Sequence, residues 1–137
     1  MRRWWEEFTK EPSSFTSLLS EVHGVPVLRV SGEIILGTGE QFRAALKQAV
    51  DEVERTEGTG RVLVVDFSEL SFLDSTGLRT LMQETADLRK RGGEVRLVIL
   101  PGGSIGRILG VTGLGDMFSI YSDAARATEE RRGGPTA

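Results

Sequence analysis

The chain has 137 residues, a formal net charge of -3 and no cysteine. This length fits one domain with a single core, the acidic balance disfavours direct binding to DNA or RNA, and the lack of cysteine excludes disulfides and thiolate zinc sites. No apolar run approaches the about 20 residues that span a bilayer, and the first residues lack the apolar segment of a signal peptide, so we expect a cytoplasmic protein without membrane insertion.

Residues 1–14 are predicted to form an N-terminal arm outside the core, because Trp4 and Trp5 stand among charged residues and the stretch ends in Pro12-Ser13-Ser14. Two interpretations stay open. The arm is either a flexible or self-packed terminus, or it anchors a partner through its tryptophans, since aromatic residues dominate binding hot spots.

The segments 15–22 and 25–31 are predicted to form a β-hairpin. They flank His23-Gly24, a two-residue spacer whose glycine tolerates a positive φ. The hairpin would place two strands at the beginning of a sheet.

The middle of the chain predicts two amphipathic helices that flank a buried strand. Apolar residues recur at helical spacing over 40–53, and Gly58-Thr59-Gly60 is expected to end this first helix. The run 62–65 is apolar without alternation, which is typical of a strand covered on both faces and predicts a central position. A second helix is predicted from about Ser75 to Arg91.

The last third predicts a strand over 95–100, a short helix around 105–109, a strand over 117–121 and a helix from about Ser122. Residues 131–137 are expected to form a disordered tail. The alternating order predicts an α/β (α+β) fold in one domain over 15–130, with a mixed sheet whose central strands are parallel.

Hydroxyl and carboxylate groups meet at the predicted start of the second helix, in Asp74-Ser75-Thr76-Gly77. Partners and ligands of open α/β sheets bind at this edge. Asp74 or Ser75 is expected to cap the helix. Gly77 is expected to leave the first helical turn without a covering side chain. The positive end of the helix would stabilise an added phosphate. Ser75 is therefore a candidate for phosphorylation.

Asp66 is predicted at the end of the buried strand, where a carboxylate can bind Mg²⁺ or act as a base. The alternative, which we favour, is that it accepts backbone hydrogen bonds and orders the loop from Ser68 to Asp74. No further ligand set or phosphate loop accompanies it, so no metal or cofactor is predicted. A Ser-His-Asp hydrolase fits poorly, because the only histidine, His23, is predicted in the hairpin turn and Ser75 is not in a G-x-S-x-G elbow.

Residues 62–82, VLVVDFSELSFLDSTGLRTLM, resemble the signature of STAS domains that act as anti-sigma factor antagonists. The resemblance continues in VLRVSGEI and in IGRILGVTGLGDMFSIYSDAARA, so it covers residues from about 15 to 127. It implies a STAS-like fold and a protein-binding switch that is not an enzyme. It further implies that Ser75 is phosphorylated by a partner that is both an anti-sigma factor and a serine kinase. Thr76 is the weaker candidate, and a phosphatase is a further candidate partner.

One departure from the family pattern lies in the second strand. Many members have an aspartate after Gly-Glu-hydrophobic, whereas Gly32-Glu33-Ile34 is followed here by Ile35. Either Glu33 partly substitutes for the contacts that the family makes through that aspartate, or the partner differs from the usual kinase.

The topology predicts one docking face, because helices that follow parallel strands begin at the same edge of the sheet. The loop 34–38 is therefore expected beside the start of the second helix. Arg79 shares a helical face with Ser75, where it either pairs with an acidic group of the partner or is merely solvated. The predicted partner-binding residues are Glu33, Asp66, Asp74, Ser75, Thr76, Gly77 and Arg79.

The leading hypothesis is a switch that, when unphosphorylated, sequesters an anti-sigma factor and so frees a sigma factor. A scaffold or transport-associated STAS protein in a signalling or lipid-trafficking assembly is the alternative, with Ser75 as a cap or a contact. A small phosphate-handling enzyme is less favoured, since no base, metal set or phosphate loop is found. The sequence leaves the oligomeric state open.

Overall fold

A five-stranded mixed sheet organises the part of the chain that the computed structural model describes, residues 15–55 and 61–129. The predicted arm, the predicted helix end at Gly58-Thr59-Gly60 and the predicted tail lie outside these residues. The spatial order of the strands equals their order in the sequence. The strands are β1 (Phe15–Val22), β2 (Val25–Ile34), β3 (Val62–Leu73), β4 (Glu94–Val98) and β5 (Ser119–Tyr121).

The first two strands are antiparallel, and each later strand is parallel to its neighbour. The parallel strands are connected by helices, as parallel pairing requires. These helices are α1 (Gly39–Arg55), α2 (Ser75–Lys90) and α3 (Ser104–Thr112), and α4 (Ala124–Glu129) follows β5. The predicted fold class is confirmed.

The hairpin turn follows the prediction, with φ of 52° at His23 and 77° at Gly24. Two consecutive positive φ values are those of a type I′ turn, whose twist matches that of the flanking strands.

Strand β3 lies at the centre of the sheet, and its two faces are buried by different layers. Leu63 and Val65 belong to the larger core, to which α1, α2 and α3 contribute apolar residues. Val62 and Val64 belong to a smaller cluster on the opposite face, which Ala127 of α4 covers. Burial on both faces explains why this stretch is apolar without alternation.

The predicted bounds of four strands were wrong. Strand β2 continues past residue 31 to Ile34, and β4 runs from Glu94 to Val98 instead of 95–100. Strand β3 continues to Leu73, so the segment from Ser68 onward that was expected as a loop is mostly strand. Register irregularities between β2 and β3 allow both strands to keep pairing up to Ile34 and Leu73. Near the other end, Met117 lies in a short 3₁₀ helix and β5 begins at Ser119.

Within the described ranges, none of the helices combines the length and the apolar character needed to cross a membrane.

Candidate functional site

The candidate site lies at the edge of the sheet where the parallel strands β2 and β3 end. The backbone N–H of Asp74 donates to the carbonyl of Ile34, with a distance of 3.0 Å between nitrogen and oxygen. This bond joins the residue that follows β3 to the last residue of β2. The loop after β2 and the start of α2 are thereby held side by side, as the topology predicted.

Asp74 is the N-cap of α2. Its backbone is extended, and its Oδ1 accepts hydrogen bonds from the backbone N–H of Gly77 at 2.9 Å and from the hydroxyl of Thr76 at 2.5 Å. Of the two capping residues that the sequence allowed, the structure selects Asp74. The carboxylate satisfies one of the N–H groups that the first helical turn leaves without a partner.

Ser75 therefore occupies the first helical position, where its hydroxyl has no capping task. The residue is exposed, and its side chain makes no hydrogen bond to any residue in the described part of the chain. The neighbouring hydroxyl of Thr76 is held by the Asp74 carboxylate. Both residues are exposed at the positive end of the helix, but of the two hydroxyls only that of Ser75 makes no hydrogen bond to the described residues.

Gly77 is buried, whereas we expected it to leave an exposed helical turn without a covering side chain. A Cβ built at this position would lie 2.4 Å from Leu73 Cδ1 and 2.7 Å from Ile34 Cγ2. The absence of a side chain lets the first turn of α2 pack directly on the ends of β2 and β3. Gly77 thereby positions the start of α2 and with it Ser75.

The loop between β2 and α1 is fixed by Thr38, a residue that the sequence analysis did not single out. Its buried hydroxyl accepts from the N–H of Ile35 at 2.9 Å and donates to the carbonyl of Glu33 at 2.8 Å. A threonine directly before a predicted helix is a cap signal. Here the hydroxyl turns back into the loop, which sequence spacing alone does not reveal.

Glu33 and Ile35 lie on either side of the end of β2, and both are half-buried. Glu33 is aligned with Phe72 of β3. The carboxylate of Glu33 and the side chain of Ile35 are therefore both at the same edge of the sheet as Ser75.

Two large apolar side chains are exposed at this edge. Leu36, in the loop after β2, is 83% exposed, and Phe72, near the end of β3, is 42% exposed. We call these two residues the edge patch. Sequence patterning did not place Phe72 on the surface, because the irregular pairing of β2 with the end of β3 changes which residues face outward.

Arg79 is exposed on α2, one turn after Ser75. Helices α1 and α2 are joined nearby by the guanidinium of Arg43, which forms an ion pair with Glu84 and donates to Gln83 at 3.2 Å. The surface that contains Ser75 and Arg79 is thus attached to a fixed helix pair.

Asp66 does not belong to this edge. It lies inside β3 and is 2% exposed, and its carboxylate accepts from the N–H of Ser68 at 2.8 Å and from Arg29 Nε at 3.4 Å. The seven steps along the chain from Asp66 to Leu73 span about 23 Å in a strand. The predicted backbone hydrogen bond is present, but the segment that it orders is strand.

The site offers an exposed hydroxyl on Ser75, and among the described residues no side chain that could act as a base is hydrogen-bonded to it. Across residues 15–55 and 61–129, no three acidic or histidine side chains come close enough together to hold a metal ion. An open recess of about 620 Å³ lies at the ends of β4 and β5, lined by residues such as Leu100, Tyr121 and Arg126, and Ser75 does not line it. The Ser75 hydroxyl is thus accessible from outside the domain.

Comparison with known proteins gives consistent matches. The sequence model of the STAS domain matches residues 18–127. The chain is 36% identical over 124 residues to the anti-sigma-F factor antagonist RsfB of Mycobacterium tuberculosis, covering 90% of this chain and 94% of that protein.

Two solved structures are also similar. One is the crystal structure of an anti-sigma factor antagonist from Mycobacterium paratuberculosis, with 31% identity, a TM-score of 0.71 and coverage of 85% of this chain and 93% of that one. The other is the anti-sigma factor antagonist SpoIIAA in its unphosphorylated form, with 22% identity, a TM-score of 0.60 and coverage of 80% and 91%. The second likeness concerns the fold alone.

Proposed function

This chain belongs to the STAS domain family, and we propose that it is an anti-sigma factor antagonist whose binding is switched off by phosphorylation of Ser75. One observation carries the assignment of the switch: the Ser75 hydroxyl is exposed at the first position of α2, while Asp74 and Thr76 are occupied in the cap. The similarity to RsfB over 94% of that protein supports the assignment of the partner class.

The unphosphorylated protein binds an anti-sigma factor and so releases a sigma factor for transcription. Its docking surface is the exposed start of α2, with Ser75 and Arg79, together with the loop around Leu36. The edge patch supplies apolar contact area, since the buried core of an interface is more apolar than its rim. Glu33 lies beside Phe72 and adds a carboxylate to this surface.

Phosphorylation adds about 1.5 to 2 negative charges to Ser75. The helix end stabilises the new group within the free protein, so the modified domain keeps its fold. Docking, however, would require the phosphate to lose water beside the Asp74 carboxylate, which opposes binding through desolvation and like-charge repulsion. A hundredfold loss of affinity needs only about 2.7 kcal/mol.

The transfer itself is carried out by the partner, which acts as a serine kinase and supplies ATP and the catalytic groups. Our protein contributes only the accepting oxygen, and a phosphatase restores the binding state. It is thus a regulatory binding protein of the cytoplasm and not an enzyme. Asp66 acts at a distance, by keeping β3 in place through Arg29 and Ser68.

A bait experiment with matched variants tests this proposal. Wild type, Ser75→Ala, Ser75→Asp and Ser20→Asp are immobilised and exposed to lysate of the native cells, and captured proteins are identified by mass spectrometry. Ser20 is exposed near the opposite end of the hairpin, so Ser20→Asp adds the same charge away from the docking surface.

We expect wild type, Ser75→Ala and Ser20→Asp to capture an anti-sigma factor that Ser75→Asp does not. Purified partner with ATP should then place phosphate on Ser75 of the wild type and on no residue of Ser75→Ala. Equal capture by Ser75→Asp would instead identify a constitutive binding scaffold. Phosphate mainly on Thr76 would move the switch to the other hydroxyl.

A further inference from the structure

Strand β1 lies at one lateral margin of the sheet, since the order of the described strands begins with it. One side of β1 pairs with β2. No described strand pairs with the other side, which we call the outer side of β1. At the opposite margin, β5 has only three residues, whereas β1 has eight. A long unpaired strand presents a row of backbone N–H and C=O groups to which another strand can add.

The features that usually protect such a strand are missing from β1. Its sequence, FTSLLSEV, contains neither lysine nor proline, and Glu21 is its only charged residue. Its register with β2 runs without a bulge from Phe15 to Val22. Leu18 is 61% exposed. Short length, charges, proline and bulges are the common means of blocking edge pairing, so the outer side of β1 is open to another strand.

The hairpin turn determines which backbone groups point outward. His23 and Gly24 both have positive φ, as in a two-residue type I′ turn. The residues that flank such a turn, Val22 and Val25, form a hydrogen-bonded pair. Hydrogen-bonded and non-hydrogen-bonded pairs alternate along an antiparallel ladder. The backbone groups of Val22 and of every second residue before it therefore face β2, and those of the residues between them face outward.

A second copy of β1 matches these outward groups in one register. Two identical antiparallel strands are related by a two-fold axis. When the axis passes through Leu18, every outward-facing residue is paired, Phe15 with Glu21 of the second copy and Ser17 with Leu19. When the axis is moved by one residue, to Ser17 or Leu19, either Glu21 or Phe15 loses its partner within the strand. The hydrogen bonds therefore favour the axis at Leu18.

The same register brings the exposed leucines together. Leu18 then forms a non-hydrogen-bonded pair with its own copy, in which the Cα atoms are about 4.5 Å apart and the side chains are close. This contact covers the most exposed large apolar side chain of β1. Glu21 lies opposite Phe15 of the second copy and about 20 Å from Glu21 of that copy, so like charges do not meet. Hydrogen bonding and apolar surface thus select the same axis independently.

We propose that the protein forms a symmetric homodimer in which the β1 strands of two copies pair antiparallel about Leu18 and join the two sheets into one. A second copy is favoured over a foreign strand because β1 is complementary to itself in hydrogen bonds, side chains and charge. The axis reverses the strand direction, so the Ser75 residues of the two copies lie at opposite ends of the dimer. Each dimer then offers two docking surfaces, a consequence that rests on the proposed function.

Single cysteines test the register, because the chain has no cysteine of its own. Full-length Leu18→Cys under mild oxidation should give a disulfide-linked dimer, since the expected Cα separation lies within the range that disulfides span. Ser20→Cys is the control. Ser20 is exposed on the same face but lies about 14 Å from its own copy in this register. Equal cross-linking of the two variants, or none of Leu18→Cys, would contradict the proposal.

Sedimentation equilibrium measures the dimer without a cross-link. The mass of the wild type should rise with concentration from 15.0 kDa toward twice that value. Leu18→Glu should raise the dissociation constant at least tenfold, because two carboxylates then face each other across the axis. Within each copy the new carboxylate lies opposite Arg29, which favours the folded hairpin. Val111→Glu is the matched control, because Val111 is 83% exposed on α3, and it should dimerise like the wild type.

A wild type that stays monomeric at about 1 mM, where even a weak complex forms, would overturn the proposal, as would equal dissociation of Val111→Glu. Hydrogen exchange at the N–H groups of Ser17 and Leu19 identifies the occupant. Protection that grows with the concentration of pure protein supports a second copy, whereas protection that requires another protein identifies a foreign strand and contradicts the dimer. Failure of the Ser75→Asp experiment would contradict the proposed function and leave the mass and cross-linking results standing.

Discussion

Two polar regions of the molecule are built in opposite ways. Arg96 is fully buried, and its guanidinium donates to both carboxylate oxygens of Glu94 at 3.0 and 3.3 Å and to the carbonyl of Ala127 at 2.7 Å. It also lies over the ring of Tyr121, 5.5 Å from the centroid. At the start of α2, by contrast, the hydroxyl of Ser75 is exposed and makes no hydrogen bond to the described residues.

The contrast distinguishes polar groups that hold the fold together from polar groups that stay accessible at the surface. A buried charge is tolerated only when its partners are fixed, so the contacts of Arg96 join β4, β5 and α4 into one unit. A polar group that receives no partner within the domain contributes nothing to stability. Ser75 remains available to another protein for that reason.

Removal of the buried charge should produce the largest effect. We expect Arg96→Ala to lower the free energy of unfolding by about 3–5 kcal/mol, because the substitution removes the cation that pairs with the Glu94 carboxylate and opens a cavity. Urea denaturation measures the change. Arg79→Ala removes an exposed guanidinium, and its free energy of unfolding should stay within about 0.5 kcal/mol of the wild-type value. A loss under about 1 kcal/mol for Arg96→Ala would contradict the contrast between the two regions.

A glycine substitution examines how the exposed hydroxyl is positioned. Gly77→Ala places a methyl group against Leu73 and Ile34 and should cost about 1–3 kcal/mol through overpacking. Gly110, inside α3, has open space around an added Cβ, so Gly110→Ala should stabilise by about 0.5–1 kcal/mol. Thermal melts of both variants give the comparison, and equal responses would show that Gly77 is not a close-packing position.

The smallest effects concern neighbouring residues at the helix start. Asp74→Ala should cost about 1 kcal/mol because the cap of α2 is lost, whereas Ser75→Ala should change stability by less than about 0.5 kcal/mol. Chemical denaturation of the two variants in the same buffer measures both free energies of unfolding. A larger loss for Ser75→Ala would mean that Ser75 and not Asp74 caps the helix, and that its hydroxyl is structural.

The order of the elements and the hydroxyl at the start of α2 were predictable, because both depend on patterns local in the sequence. The apolar run at 62–65 indicates a strand without reference to the rest of the chain, and the helical spacing over 40–53 does the same for a helix. The signature around Ser75 depends on a strand followed directly by a helix, which the structure contains. The capping choice between Asp74 and Ser75 required the geometry of the turn.

The remaining features depend on contacts between distant segments. The length of β3 follows from bulged pairing with β2, which left Phe72 exposed. The burial of Arg96 requires a carbonyl supplied by Ala127. Neither partner can be read from the residues next to each position, so the sequence predicted β4 as a buried strand without showing how its charge is accommodated.

The hydrogen bonds of Thr38 bear on how such proteins diversify. The hydroxyl holds the loop after β2 through backbone groups of Glu33 and Ile35 only, with no contribution from the side chains of the loop. Leu36 points into solvent, and Gly37 has open space around it. Mutations at these two positions can therefore accumulate at little cost to folding, so duplicated copies of such a gene can acquire different partners while their cores stay the same.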